Sequence, residues 1–173
     1  MKTKLPPYLI TLLEDQFNRL GELDSLIDGL EKQLTSVARQ SEICKRLMAI
    51  PGVGPLIATA AVATMGEASA FKSGREFSSY IGLVPRQTGS GGKVRLLGIS
   101  KRGDTYLRTL LIHGARAASL VAKEPGQWIT EIKKRRPAGV AIVAMANKLA
   151  RTVWAIAAHN RQYDKNHVSI RPY

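Results

Sequence analysis

Leu47-Met48-Ala49-Ile50-Pro51-Gly52-Val53-Gly54-Pro55-Leu56-Ile57-Ala58-Thr59-Ala60-Ala61-Val62-Ala63 is the stretch on which the fold turns. An apolar run ends in Pro-Gly-Val-Gly, and a run of small residues resumes at Pro55, a favourable first helical position. The pattern predicts two helices joined by a tight turn, as in a helix-hairpin-helix. The alanines of the second helix let its partner approach closely. Gly52 and Gly54 permit the turn and leave bare backbone N–H groups able to approach a phosphate, aided by the helix N-terminus that follows. An ordinary helical hairpin uses the same glycines and prolines, so both readings stand at this point.

Upstream, residues 5–40 read as one long amphipathic helix. Leu13, Phe17, Leu20, Leu23, Ile27, Leu30, Leu34 and Val37 recur at steps of three or four, nearly a heptad seam with one residue dropped between Leu20 and Leu23. Pro6 and Pro7 sit where a helix start tolerates them. A seam this long is sticky when bare. It predicts pairing with another helix, either of the same domain or of a second copy.

Downstream, Phe77–Pro85 leads into Arg86-Gln87-Thr88-Gly89-Ser90-Gly91-Gly92-Lys93 and then Val94-Arg95-Leu96-Leu97-Gly98-Ile99-Ser100. The centre is too rich in glycine for a regular element, so it reads as a mobile loop or hairpin between short extended pieces. Asp104 is a plausible N-cap for a helix over about 105–122. A Pro125-Gly126 break, the basic run Lys133-Lys134-Arg135-Arg136-Pro137 and a last helix from about Ala138 to Ala158 follow. The tail beyond Asn160 is polar and reads as frayed. The fold class is mainly α. It comprises a coiled-coil-like arm (residues 1–45), a helical domain with the hairpin and glycine-serine loop (46–160) and a polar tail (161–173).

Charge narrows the partner. The 173 residues carry 26 Lys+Arg against 13 Asp+Glu, a net +13. Residues 1–50 hold seven of each sign, so the whole excess lies beyond Ile50. A domain this basic repels itself unless it meets a polyanion, and phosphate backbones are the commonest one. Cys44 is a lone cysteine, so no internal disulfide framework exists. Glu14 and Asp15 come too early for a secretory signal, and no stretch reads as an uncharged membrane span. The expectation is a cytoplasmic chain with no membrane partner.

The residues also limit the chemistry. His113, His159, His167 and Cys44 are too far apart for a structural zinc pattern, and the six carboxylates beyond residue 50 are scattered. No metal site is expected in this chain. Gly89-Ser90-Gly91-Gly92-Lys93 lacks the spacing of a phosphate-binding Walker loop. What remains is Ser90, sterically open between glycines, with Arg86, Lys93, Arg95, Lys101 and Arg102 nearby in sequence. Such cations stabilise charge on phosphoryl oxygens, but the loop offers no general base. Locally, a serine that merely solvates a linker is the simpler reading.

Larger blocks add to this. Ile50-Pro51-Gly52-Val53-Gly54-Pro55, Phe71-Lys72-Ser73-Gly74-Arg75, Ile81-Gly82-Leu83-Val84-Pro85-Arg86-Gln87, Ser90-Gly91-Gly92-Lys93, Gly98 through Arg116 and Asn147-Lys148-Leu149-Ala150-Arg151 occur in order across residues 5–160. Together they closely resemble the C-terminal domain of insertion-sequence 110/1111 family transposases. The resemblance implies a serine nucleophile that maps best onto Ser90, with Ser100 in reserve. It implies DNA and a structured guide RNA as partners. It also implies that Mg²⁺ is held by four acidic residues in an N-terminal domain, which resembles a Holliday-junction resolvase and lies outside this chain. This chain itself carries no cofactor. Gly52, Gly54, Arg86, Lys93, Arg95, Lys101, Arg102 and Arg108 are the candidate nucleic-acid contacts, and the arm is the candidate homo-oligomer contact. The rival readings are a non-catalytic binding module and a purely structural oligomerisation fragment.

Overall fold

A computed structural model describes residues 5–89, 91, 93–121 and 127–165. Helix α1 spans Pro7–Gln40, about 50 Å at 1.5 Å per residue. Ser41 leaves the helical region (φ −91°, ψ 118°) and restarts the chain as α2, Glu42–Met48. Its hydroxyl accepts the Cys44 N–H at 3.4 Å, the N-cap that a new helix needs. The Pro-Gly-Val-Gly turn then hands over to α3, Pro55–Met65, with proline in its first turn as expected.

A single 3-10 turn at Ala68–Ala70 precedes α4, Gly74–Tyr80. There the Ser73 hydroxyl accepts the Glu76 N–H at 3.3 Å as the N-cap, and the Glu76 carboxylate reaches back to accept the N–H of Lys72, the residue before the cap, at 2.6 Å. Strands β1, Pro85–Thr88, and β2, Arg95–Ile99, form the two-stranded antiparallel hairpin that the glycine-rich stretch left open as loop or hairpin. Pro85 faces Ile99 and Gln87 faces Leu96, so β2 takes up one extra residue between these pairs.

Helix α5, Thr105–Val121, begins where Asp104 predicts it. The carboxylate accepts the Leu107 N–H at 3.0 Å and the Thr64 hydroxyl at 2.9 Å, tying the start of α5 to α3. The Leu107 N–H, above all, holds the Asp104 carboxyl below the usual carboxylate range, so it caps as an anion. Helices α6, Gln127–Arg135, and α7, Ala138–His159, complete the chain.

The core is built around α7, whose Ala141, Met145, Ala146, Leu149, Ala150, Val153 and Ile156 are buried. Phe77 of α4, Leu107, Leu111 and Ala115 of α5, and Ile57, Ala58 and Ala61 of α3 join the same cluster. Phe77 is wholly buried and meets the Phe71 ring edge-on, with centroids 5.1 Å apart. One sequence reading needs correction: α7 is long and apolar enough to cross a membrane by length and composition. Lys148 and Arg151 interrupt it, which hid the signal, and its apolar face is the one that packs the core.

The arm has two parts. Near its end Leu34 is half-buried and Ala38 fully buried, where α1 packs on α2 and α3. The rest of the seam, Leu13, Phe17, Leu20, Leu23, Ile27, Leu30 and Val37, is 43% to 72% exposed. Pairing within the domain is therefore confined to the last turns of the helix.

Candidate nucleic-acid interface

The predicted cations converge on the hairpin. Arg86 lies on β1, Arg95 on β2, Lys93 just before β2, and Lys101 and Arg102 just after it; all five are exposed. The ion pairs between described residues, Lys45–Glu42 and Lys134–Glu131, leave all of them unneutralised. Every residue of β1 is exposed and β2 is covered only at Ile99, so the hairpin stands off the helical body. It offers Val94 and Leu96 (68% and 62% exposed) among the charges. Ser90 and Gly92 lie outside the described residues, and with them the expected mobility of the Ser90 loop. In the chain, Ser90 belongs to the segment that joins the ends of β1 and β2.

The root of the hairpin is built quite differently. Two chain segments, 81–84 and 100–102, run side by side there, with Ser100 N–H donating to Val84 O at 2.8 Å and Lys101 N–H to Gly82 O at 3.1 Å. Arg108 reaches across from α5. Its Nη1 donates to Ile81 O at 3.0 Å and Arg102 O at 2.9 Å, and its Nη2 to the Thr105 hydroxyl at 2.9 Å. From α7, Asn147 Nδ2 donates to the buried Ser78 hydroxyl at 2.8 Å and to Leu83 O at 3.0 Å. A charged fork and an amide thus hold both ends of the hairpin to the core. Arg108, placed by the sequence among nucleic-acid contacts, is only 7% exposed and points inward. Asn147, a polar residue among the apolar positions of the helix's first half, was the available signal for this role.

Ser100, the reserve nucleophile, also sits at this root. It is half-buried, and its hydroxyl accepts the Arg102 N–H at 3.5 Å. The two glycines of the helical turn separate as well. Gly52 has φ +85°, and a Cβ there would collide with the Gly114 carbonyl of α5. It marks a close crossing of backbone on helix. Gly54 caps α3 with open space where a Cβ would stand, and it is exposed. Of the two, Gly54 is the one placed where a ligand can reach it. No cluster of three or more His, Cys, Asp or Glu suited to a metal occurs among the described residues.

Comparison with known proteins gives the family. Residues 44–128 match the model of the transposase IS116/IS110/IS902 family. A probable family 20 transposase of Pseudomonas aeruginosa is 44% identical over 163 residues, covering 92% of this chain and 48% of that protein. The transposase for insertion sequence element IS1111A of Coxiella burnetii is 42% identical over 163 residues, 92% of this chain and 45% of the relative. The transposase for insertion sequence element IS1328 of Yersinia enterocolitica is 36% identical over 166 residues, 94% and 50% of the two chains. The chain spans about half the length of the curated relatives it matches. The helical turn and the hairpin both fall within residues 44–128, and this segment is a domain of the IS116/IS110/IS902 family of transposases.

Proposed function

We propose that this chain is the DNA-handling half of a recombinase, in which Ser90 attacks a phosphodiester and the hairpin cations hold the strand. The observation that carries it is the concentration of unpaired positive charge on one rigidly rooted hairpin that bears a serine between its strands. Arg86, Lys93 and Arg95 suit the phosphoryl oxygens, on which charge develops during attack. Lys101 and Arg102 extend the positive surface to the hairpin's base. Gly54, at the N-terminus of α3, adds a second phosphate contact of the helix-hairpin-helix kind. In the reaction, the serine oxygen bonds to phosphorus, and one strand oxygen leaves and takes up a proton. The DNA is then joined to the protein as a phosphoester. Mg²⁺ belongs to a carboxylate domain outside this chain, a structured RNA guides strand choice, and the complex works on cytoplasmic DNA.

The test is reconstitution with the metal domain of a close relative, supercoiled DNA, structured RNA and Mg²⁺. A covalent protein–DNA adduct is expected with the unaltered chain and lost in Ser90→Ala. Persistence in Ser90→Ala with loss in Ser100→Ala assigns the nucleophile to Ser100. An adduct that neither change removes overturns the serine mechanism.

The bare seam of α1 supports a second copy of the chain as its partner. Six large apolar residues over the five helical turns from Leu13 to Leu30 bury enough surface for a coiled coil, whereas one helix alone leaves them in water. Sedimentation of the chain is expected to give a dimer. Leu20→Glu with Ile27→Glu is expected to give a monomer whose helical domain melts unchanged. A wild-type monomer at high micromolar concentration would contradict the pairing.

A further inference from the structure

The basic run at the end of α6 takes no part in the hairpin surface, and its placement gives it a separate use. Lys133, Lys134, Arg135 and Arg136 are all exposed. Two of the four are already occupied: Lys133 Nζ donates to Ser119 O at 3.1 Å near the end of α5, and Lys134 pairs with Glu131 at 3.0 Å. Arg135 spends one N–H on Glu131 O at 3.3 Å, one turn back on its own helix, and keeps the rest of its fork. Neither Arg135 nor Arg136 has a carboxylate among the described residues. Between them lies a cleft of about 310 Å³ lined by Arg135, Arg136 and Ile132. A concavity lined by two arginines and an isoleucine suits a sugar-phosphate unit, since guanidinium groups pair with phosphate and an apolar side chain can pack on the sugar.

The neighbouring aromatic decides which form of nucleic acid fits. Trp128, 40% exposed at the start of α6, is the ring on this helix on which an unpaired base could stack. One of its faces is already covered, with Lys148 Nζ of α7 lying 4.8 Å from the ring centroid. Single-stranded ligands are held largely by stacking on several bare rings, and this helix offers them one ring that a lysine already covers on one side. It offers point charges and forks, which is how a duplex backbone is gripped. We infer that the Arg135–Arg136 cleft is a second phosphate-backbone site that takes duplex DNA, separate from the hairpin. This rests on the reading of the chain as a DNA-handling domain and extends it to a surface that the reading does not use.

The experiment measures binding of a mixed-sequence DNA duplex by fluorescence anisotropy across a salt series, with a single strand and a duplex RNA of equal length alongside. The proteins are the full chain, Arg135→Gln/Arg136→Gln, and Arg86→Gln/Arg95→Gln. Each lost phosphate contact removes about 0.9 from the log–log salt slope, so the α6 variant is expected to lose about 2. Between about 50 and about 200 mM salt its affinity then falls roughly tenfold less than that of the full chain. Lys133 and Lys134 are left intact because they already bind within the fold. An unchanged slope in a folded α6 variant, with loss in the hairpin variant, overturns the second site and leaves the DNA reading standing. A loss confined to single strands or to RNA also overturns it. Absence of salt-dependent DNA binding by the full chain overturns both.

Discussion

Gly52→Ala is expected to destabilise the chain by about 3 kcal/mol, lowering its melting temperature by roughly 10 °C, whereas Gly54→Ala costs about 1 kcal/mol at most. The two glycines stand one residue apart in the same turn, so the contrast isolates geometry from composition. At Gly52 two obstacles coincide. Its φ of +85° lies in the left-handed region, where a side chain is strained. Its would-be Cβ also collides with the Gly114 carbonyl, and Gly114 in turn would drive a Cβ into the Gly52 carbonyl. Backbone presses on backbone, so no rotamer change relieves either clash. Around this crossing Ile50, Val53 and Ile57 are all buried, and moving α5 away to make room would open the core beneath them. Gly54 has φ −91° and open space. Thermal melts followed by circular dichroism read the difference. Equal losses at both positions would show that the turn, not the crossing, sets the requirement. Because Gly54→Ala stays folded, it also isolates the proposed phosphate contact at α3: weakened DNA binding there, uniform over sequence, is the expected mark.

The same pair shows what a sequence can and cannot convey. The Pro-Gly-Val-Gly turn, the helix from Pro55 and the Asp104 cap were all legible, because each rests on chemistry within a few residues. Gly52 was legible as indispensable to a turn but not as a crossing point, since Gly114, its partner, comes from a distant helix. The cations of the hairpin were legible as a group. Which of them face water was not, because a guanidinium carries the same charge whether exposed or buried. Arg108 looked like one more cation in a basic stretch, and only folding brings the Ile81 and Arg102 carbonyls to it. The seam of α1 was plain from its spacing, whereas its bareness from Leu13 to Leu30 depends on where the other helices lie. Periodicity reports that a face is apolar and leaves open what covers it.

Arg108 leads to the second large effect. Arg108→Met is expected to cost about 3 kcal/mol, since it leaves the buried Ile81 carbonyl and the partly buried Arg102 carbonyl without their donor. Arg108→Lys is expected to recover little of this, because an ammonium on a single stem cannot span two carbonyls and the Thr105 hydroxyl as the fork does. The loss should be local in its dynamics. Amide exchange at Leu83, Ser100 and Lys101, whose N–H groups bond across or beside the root, is expected to speed up more than exchange along α7. Packing nearby adds to the argument: Gly103, φ +75°, lies so close that a Cβ would strike the Tyr80 carbonyl, so the root closes only in one arrangement. A rigid root sets the direction in which the hairpin carries Arg86, Arg95 and the segment containing Ser90. Loosening it therefore spreads those groups over many poses and weakens DNA binding without removing a phosphate contact. The salt series separates the two cases. Arg95→Gln is expected to lower the slope by about 1, and Arg108→Lys to lower affinity at an unchanged slope. A slope that falls by a full unit in Arg108→Lys would mean that this guanidinium reaches the phosphate itself, and the clamp would have to be given up.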